Sequence, residues 1–300
     1  MGKEDYKAGD SNRITREYID SLLVEMRHLD AVLPDTQLEL FGERFQTPVM
    51  MAALSHLSKC HENGMVEMAR GAMEAGACMW CGMGDEEELE AILATGAKTI
   101  KIIKPYKDRD IIYRKMEHAG KNGAIAVGLD VDHQFGGDGQ YDNVLGYNMA
   151  PVSALELVQL VNATNLPFVV KGILSVQDAV KCMDAGVGAI VVSHHHGIMN
   201  YAVPPLMVLP EIIKAVHAHN SKIKVIVDCG IESGMDVYKA LALGADAVSA
   251  GRIMMGVLKE GGAEGVKNKV EQMTRELAGA MARTCTPNLR SFDSSVLHRT

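Results

Sequence analysis

Two apolar segments near the middle of the chain each end in side chains that could take part in acid–base or charge chemistry. The segment FVVK ends at Lys171, and the segment AIVVSHHH ends at Ser193 and three histidines. Between them, SVQDAVKCMDAG is predicted to form a helix that begins after the N-cap Ser175 and ends at Gly186. Strands this apolar belong to a parallel sheet that is covered on both faces, and ligand sites lie beyond the carboxyl ends of such strands. We therefore expect Lys171 and the histidine cluster to lie at one ligand site.

Two other interpretations apply to these residues. Polar side chains can simply end a strand, but this is less consistent with two neighbouring strands that both end in ionisable groups. The histidine triplet at 194–196 could also bind a metal ion. Successive side chains of an extended segment point in opposite directions, so a contiguous triplet does not provide three convergent ligands. We therefore predict no metal site.

The composition argues against several classes of function. A chain of 300 residues with 47% hydrophobic residues can bury a sizeable core. The formal net charge of −8 and the lack of Lys/Arg runs argue against nucleic acid as a partner. The polar N-terminal sequence and the absence of eighteen consecutive apolar residues predict neither export nor a membrane segment. We predict a cytoplasmic protein whose six cysteines, including Cys78 and Cys81, are reduced thiols.

From residue 48 onward, apolar segments alternate with amphipathic ones. The eight apolar segments are PVMMAA, CMWCG, TIKIIKP, AIAVGLDV, PFVVKGI, AIVVSHH, KVIVDCG and DAVSAGR. Seven of them follow a residue that tolerates the left-handed conformation typical of helix ends, namely Gly76, Gly96, Gly123, Asn165, Gly188, Asn220 and Gly244. Repeated βα units with right-handed crossovers predict an α/β fold of the (β/α)8 TIM-barrel type. A doubly wound open sheet is the alternative, although no GxGxxG motif follows any segment.

The regions outside this alternation are interpreted separately. We treat residues 1–47 as an N-terminal lead-in packed on the barrel and residues 48–300 as the barrel domain. Within the lead-in, LELFG at 38–42 is predicted as a strand, and residues 15–29 are weakly helical. A final helix is predicted at about residues 263–283. The one long βα connection, residues 133–153, is either a substrate lid or a disordered excursion.

The ends of the eight predicted strands should converge on one mouth of the barrel. The residues there are Ala52, Ala53, Cys81, Lys104, Tyr106, Asp130, Lys171, Ser193, His194 to His196, Asp228, Gly230, Gly251 and Arg252. The loops after the last two strands of such barrels commonly bind phosphate, so the endings DCG and AGR predict a phosphate-bearing ligand. Lys171 could place a positive charge near a ligand ring, and Asp130 could pair with a histidine as a carboxylate–imidazole unit.

Three longer segments carry a family resemblance. VVKGILSVQDAVKCMDAGVGAIVVSHHHG, VIVDCGIESGMDVYKALALGADAVSAGR and GVKNKVEQMTRELAGAMARTCTPNL are similar to the FMN-dependent α-hydroxy-acid oxidase/dehydrogenase family, which includes glycolate and lactate oxidases. The similarity extends more weakly back to about Thr15. It implies FMN as the cofactor, a small-molecule substrate, an electron acceptor that the sequence does not identify, and a homo-oligomer, namely a tetramer.

The resemblance also implies roles for individual residues. It makes His195 the catalytic base, Asp130 the residue that orients this base, and Tyr106 an active-site hydroxyl. It places Lys171 against flavin N1 and the C2 carbonyl. The predicted cofactor-binding residues are Ala52, Ala53, Cys81, Lys104, Lys171, Ser193, Asp228, Gly230, Gly251 and Arg252, with the last two at the phosphate.

The chain departs from the family pattern at several places, and it has no counterpart of the family's N-terminal substrate-contacting Tyr. Ile198 stands where the family has the Arg that grips the substrate carboxylate, and residues 133–153 contain no second Arg. Lys104 replaces a flavin-contacting Gln, and Glu232 replaces the second Arg of the phosphate loop. An isoleucine cannot replace a bidentate Arg–carboxylate contact, so recognition of a substrate carboxylate is in doubt.

The sequence therefore predicts an FMN-dependent oxidoreductase that oxidises a small alcohol, hydroxy-acid-like or amine substrate with His195 as the base. We expect the substrate not to be a standard 2-hydroxy acid. One alternative is an FMN-dependent isomerase of the type 2 isopentenyl-diphosphate isomerase kind, and net redox turnover would discriminate against it. The other is a flavin-binding protein without hydroxy-acid activity, suggested by the missing Arg.

Overall fold

Eight parallel strands form the centre of the computed structural model, which describes residues 8–219 and 221–300. They are Val49–Met51, Met79–Cys81, Thr99–Ile103, Ala126–Asp130, Phe168–Ile173, Ala189–Val192, Lys224–Val227 and Ala247–Ala250. From the second to the eighth, each strand pairs with the next in sequence, and the eighth pairs with the first. The Met51 N–H donates to the Cys78 carbonyl (3.0 Å) and joins the first strand to the second. The ring is closed, and the predicted (β/α)8 barrel is confirmed.

Helices surround the barrel and connect its strands. They are α1 (Ser11–Asp20), α2 (Gly64–Glu74), α3 (Glu86–Leu93), α4 (Arg109–Lys121), α5 (Ala154–Asn162), α6 (Val176–Asp184), α7 (Pro205–Ala218), α8 (Gly234–Ala242) and α9 (Arg252–Ala282). Ser175 caps α6 by accepting the Asp178 N–H, as predicted. Gly262 interrupts α9 with a φ of 56°, and the part after this break corresponds to the predicted final helix.

The hydrophobic core has two layers because side chains alternate along each strand. One layer fills the barrel interior and includes Met50, Trp80 and Val191. The other lies between the strands and the surrounding helices and includes Met79 and Cys81. The same alternation continues past the strand ends, so it decides which polar residues face the mouth of the barrel.

Glycines take the left-handed conformation at most of the predicted helix-to-strand joints. Gly76, Gly96, Gly123 and Gly244 all have positive φ angles, which confirms these four joints. The prediction for Gly188 is wrong, because the left-handed residue is Gly186, directly after the C-cap Ala185 of α6. This position closes the last helical turn, whereas residue 188 already leads into the strand. Asn165 does not have a positive φ, and Asn220 lies outside the described residues.

The N-terminal region packs on both ends of the barrel. The predicted helix at 15–29 is wrong in its bounds, because α1 ends at Asp20 and Leu22–Val24 then pairs with the C-terminal strand Leu297–Arg299. The predicted strand at 38–42 is confirmed as Leu38–Leu40, which pairs with Glu43–Phe45. The boundary at residue 47 stays a prediction.

Two predictions about the whole chain concern membranes and cysteines. Within the described residues, no helix combines the length and the apolar character needed to cross a bilayer. All six cysteines are free thiols.

Candidate active site

A cavity of about 410 Å³ opens at the carboxyl ends of the barrel strands. It is lined by Ala52, Ala53, Leu54, Lys171, His195, His196, Asp228, Cys229, Gly230, Ile231, Glu232, Ser249, Gly251, Arg252, Ile253 and Met255. Eight of the residues predicted for the site are among them, from the first, fifth, sixth, seventh and eighth strands and the loops that follow. The cavity has the volume of an ordinary small-molecule or cofactor site.

Lys171 lies at the charged end of this cavity. Its Nζ is 2.9 Å from His195 Nδ1, 3.6 Å from Asp132, 3.8 Å from Asp130 and 3.9 Å from Asp228. The side chain is almost fully buried, which disfavours its charge, but the three carboxylates outweigh burial and raise the pKa of Lys171. The ammonium is therefore a fixed positive charge at the site.

His195 is held by a carboxylate that the sequence did not identify. Asp132 Oδ1 lies 2.6 Å from His195 Nδ1, whereas Asp130 Oδ1 is 3.4 Å away. Asp130 instead makes a 2.7 Å ion pair with Lys104. Asp132 makes the shorter contact with His195. The predicted orienting role of Asp130 is therefore at most one that it shares with Asp132.

The ionisation of this group of residues follows from burial and from their charges. Burial alone opposes the charge of Asp130, but Lys171 holds its pKa well below the usual range. Burial raises the pKa of Asp132 to about 6, opposed by Lys171 and reinforced by the charge of Asp130. Burial and Lys171 disfavour protonation of His195, but its contacts with Asp130 and Asp132 outweigh them and raise its pKa.

Two carboxylate oxygens at the site have no hydrogen-bond partner. Asp130 Oδ1 and Asp132 Oδ2 are both buried without a hydrogen bond, although each lies within 4 Å of the Lys171 ammonium. Buried acceptors without donors are costly, so they indicate that a ligand with polar hydrogens completes this region.

The part of the cavity at the start of α9 fits a phosphate group. Gly251 begins α9 without any side-chain cap, so the first backbone N–H groups of this helix are free for an anion. Arg252 contacts Asn12 Oδ1 (3.0 Å) and has no ion pair with a carboxylate among the described residues. Gly230 has a φ of 79°, and a Cβ there would come within 3.0 Å of Ile19 and 3.1 Å of Thr15. The donors at the start of α9 match what the phosphate of FMN requires, whereas the space beside Gly230 is filled by α1.

The three consecutive histidines point to three different places. His194 Nε2 lies 2.8 Å from the Thr15 hydroxyl, while its Nδ1 accepts the Gly197 N–H. His196 Nδ1 contacts Asn12 Oδ1 at 2.7 Å. Only His195 joins the carboxylate cluster, so the triplet does not converge on one point.

Three predicted cofactor residues do not line the cavity, namely Cys81, Ser193 and Lys104, the last of which pairs with Asp130. Cys81 faces the helix layer, where its Sγ lies 3.3 Å from the buried Lys101 Nζ. This placement does not support a direct thiol contact with the cofactor, because Cys81 has the outward orientation of the strand alternation. Ser193 acts within the protein, where its hydroxyl accepts the backbone N–H of His195 at 3.0 Å.

The long loop after the fourth strand is ordered and folds back over the site. It contains the short hairpin Asn143–Val144 with Tyr147–Asn148. Tyr147 packs edge-on against Tyr106 with the ring centroids 5.3 Å apart, and burial raises the pKa of Tyr106 to about 12. Arg109 fixes the end of the loop through the carbonyls of Ala150 and Pro151. The disordered alternative does not describe this loop, and its role as a lid stays a prediction.

The same loop contributes a second histidine that the sequence gave no reason to select. His133 Nε2 lies 3.3 Å from His195 Nε2, and His133 Nδ1 lies 2.7 Å from Asp142 Oδ2. Asp132, His133 and His195 also lie close enough to suggest metal ligands. The Lys171 ammonium lies 2.9 Å from His195 Nδ1, and its positive charge disfavours a metal ion at the same place. We therefore interpret the contacts among these three residues as hydrogen bonds.

Comparisons with known proteins identify a family for this chain. The sequence profile of the family described as FMN-dependent dehydrogenase matches residues 3–160 and 147–299. A 4-hydroxymandelate oxidase from Amycolatopsis orientalis is 32% identical over 90% of this chain and 84% of its own length. An L-lactate oxidase from Nostoc sp. is 29% identical over 99% of this chain and 93% of its own.

Solved structures of mandelate oxidase have the same fold. A Tyr-to-Phe variant with a monooxide FMN adduct superposes with a TM-score of 0.88 at 31% identity, covering 98% of this chain and 92% of that one. A further crystal structure of mandelate oxidase superposes with a TM-score of 0.87 at 29% identity, covering 98% and 91%.

Proposed function

Because this chain belongs to the FMN-dependent α-hydroxy-acid oxidase family, we propose that it oxidises the hydroxyl-bearing carbon of a small hydroxy-acid-like substrate with His195 as the base. The family confirms the predictions of an enzyme and of FMN as its cofactor. The related oxidases do not favour the isomerase alternative.

The observation that carries the proposal is the 2.6 Å contact between Asp132 and His195 at the cavity. A carboxylate at Nδ1 keeps the proton on that nitrogen, so Nε2 is the basic atom, and the same carboxylate stabilises the imidazolium that forms. FMN, when bound, supplies the two-electron acceptor. Lys171 would lie beside its ring and Arg252, at the first turn of α9, would hold its phosphate, since both cations line the cavity.

This proposal names no arginine that binds the carboxylate of the substrate. Ile198 is 42% exposed in the loop after His195, and Lys104 is already paired with Asp130. Binding a buried anion without a compensating cation costs several kcal/mol of free energy, which corresponds to a loss on the order of a hundredfold or more in affinity or rate. We therefore propose that short acids such as lactate and glycolate are poor substrates at neutral pH. The tetramer, the cytoplasmic location and the electron acceptor stay predictions of the resemblance.

Anaerobic mixing tests this proposal. The FMN-loaded protein is mixed at pH 7.5 with L-lactate, glycolate, mandelate or a matched alcohol without a carboxylate, and flavin absorbance is followed. We expect loss of absorbance with at least one hydroxyl substrate and slow reaction with lactate and glycolate. No bleaching with any of them would contradict hydroxyl oxidation, and fast bleaching by lactate or glycolate would contradict the proposed preference.

A further inference from the structure

The loop after the fourth strand places a second carboxylate–imidazole pair against the first. His133 Nε2 and His195 Nε2 lie 3.3 Å apart in an edge-to-face arrangement, with the ring centroids 4.4 Å apart and an interplanar angle of 84°. Each ring has a carboxylate at its other nitrogen, Asp142 for His133 (2.7 Å) and Asp132 for His195 (2.6 Å). The proposed function uses only the Asp132–His195 half of this arrangement.

The hydrogen-bond pattern fixes where the protons lie. An ionised carboxylate only accepts hydrogen bonds, so Asp142 assigns the proton of His133 to Nδ1. At His195 Nδ1 the contact with Asp132 (2.6 Å) is shorter than that with the Lys171 ammonium (2.9 Å), and we assign the proton to this nitrogen on that ground. When both rings are neutral, each Nε2 is the nitrogen without a proton. One further proton on either Nε2 converts that ring to an imidazolium. This assignment follows from the network of partners, since hydrogen positions are inferred from them.

The surrounding charges leave the imidazole pair as the available cation for a substrate anion. Lys104 is paired with Asp130, and Lys171 lies among Asp130, Asp132 and Asp228. Two ammonium groups thus face three carboxylates, and Asp142 adds a fourth negative charge behind His133. Arg252 lines the cavity at the start of α9 and donates to Asn12 Oδ1. Within residues 8–219 and 221–300, neither lysine has an unshared charge for a substrate carboxylate.

We propose that His133, oriented by Asp142, binds the substrate's carboxylate as an imidazolium and so takes the place of the missing arginine. In a 2-hydroxy acid, the hydroxyl and the carboxylate are on adjacent carbons and can face neighbouring donor and acceptor groups together. His195 Nε2 then receives the hydroxyl proton while His133 Nε2–H donates to the carboxylate. No bond to carbon is made or broken at His133, which only binds the substrate, and Asp142 is a positioning residue. The inference rests on the proposed function for the identity of the substrate class.

A histidine differs from an arginine because its charge depends on pH. His133 faces Asp142 from its own loop, Lys104 and Asp130 from the third and fourth strands, and His195 from the loop after the sixth. Burial and Lys104 lower the pKa of His133, so the free ring is neutral in neutral solution unless it shares a proton with His195. When the pair lacks this proton, a carboxylate can bind only with the uptake of one proton from solvent. Binding should then weaken about tenfold per pH unit.

The test uses a probe that binds without reacting. 2-Methyl-lactate has the hydroxyl and the carboxylate of a 2-hydroxy acid but no hydrogen on the reacting carbon. Its affinity for the FMN-loaded protein is measured by calorimetry between pH 6 and pH 9, in buffers of different ionisation enthalpy that report proton uptake. We expect the dissociation constant to rise about tenfold per unit at the alkaline end, with close to one proton taken up.

Four variants separate His133 from other causes. His133→Asn should bind the probe at least tenfold more weakly at pH 6 and with no pH dependence, and Asp142→Asn should move the alkaline loss of binding to lower pH. His133→Arg should bind with little pH dependence, as an arginine remains charged. His118→Asn is the matched control, because His118 also pairs with a carboxylate, Glu90, at 2.9 Å on the outer helices. Its binding curve should match that of the unmodified protein.

Three results would overturn the inference. They are pH-independent binding of the probe by the unmodified protein, undiminished binding by His133→Asn, and no binding at any pH from 6 to 9. Bleaching of the flavin by 2-hydroxy acids decides the proposed function separately. Bleaching without a role for His133 would reject the inference alone, and the absence of both bleaching and binding would reject both.

Discussion

At the scale of single residues, Lys171 contributes a fixed positive charge to the site. The ammonium is buried within 4 Å of three carboxylates and of His195. A fixed positive charge beside a flavin ring stabilises the negative charge that develops when the ring is reduced. Lys171 should therefore favour the reduced cofactor.

Replacing Lys171 with Met tests this role. We expect a lower midpoint potential of the bound FMN, because the ammonium no longer stabilises the reduced form. Spectroelectrochemical titration measures it, and Lys224→Met serves as the control, since Lys224 pairs with Asp246 where the seventh strand begins. An unchanged or higher potential would remove Lys171 from the flavin ring.

The sequence did not identify Asp132, but its short contact with His195 predicts that it supports the base. We expect Asp132→Asn to slow flavin reduction by roughly 10- to 100-fold at equal FMN content, the usual effect of losing a group that orients a histidine. Without the carboxylate the pKa of His195 falls, and only neutral His195 accepts a proton. The acid limb of the pH–rate profile should therefore move to lower pH.

Stopped-flow measurements on Asp132→Asn and Asp130→Asn, from pH 5 to pH 9, provide the comparison. Asp130 makes the longer contact with His195 and the shorter one with Lys104. A larger shift of the acid limb in Asp130→Asn would restore the original assignment of Asp130.

The alternation of side chains explains which site residues were predictable. Lys104, Asp130, Lys171 and Asp228 continue the inward-facing positions of their strands, and the structure brings them together at the mouth. Cys81 was selected because it ends a strand, but it occupies an outward position and faces Lys101. The same alternation in LDVD could have identified Asp132, two residues after Asp130. His133 and Asp142 are nine residues apart in a loop, and no periodicity links them.

At the scale of single elements, the start of α9 carries the phosphate site. Gly251 leaves the helix uncapped, and Arg252 stands at its first turn. We expect Arg252→Ala to weaken FMN retention at least tenfold, because one charge-assisted contact to a dianion is lost. Equilibrium dialysis measures it, with Arg275→Ala as the control on the exposed face of the same helix. Equal FMN affinity in Arg252→Ala would place the phosphate elsewhere.

The elements differ in how far the sequence determined them. Caps and helix-ending glycines are local signals, and they correctly placed α6 and four of the joints. The first helix was misplaced because residues 15–29 have only a weak pattern, and the pairing of Leu22–Val24 with Leu297–Arg299 joins the two ends of the chain. The hairpin in residues 133–153 was likewise not predictable, because its position depends on packing against Tyr106.

At the scale of the whole molecule, the repeated βα pattern was sufficient to predict the barrel, because few topologies satisfy eight such units. The position of α1 over the mouth was not predictable in this way. Thr15 contacts His194 at 2.8 Å, and Arg16 pairs with Asp236 at 2.8 Å. These contacts depend on single polar side chains that meet only in the folded chain.

The central claim is that the barrel assembles FMN and His195 into one oxidising site. The measurement that tests it most directly is anaerobic single-turnover reduction of the flavin in His195→Gln against the unmodified protein, at equal FMN content and with the fastest hydroxyl substrate. We predict that His195→Gln retains FMN but bleaches roughly 10²–10⁴ times more slowly, because the general base is lost. Bleaching of His195→Gln at the rate of the unmodified protein would contradict the account.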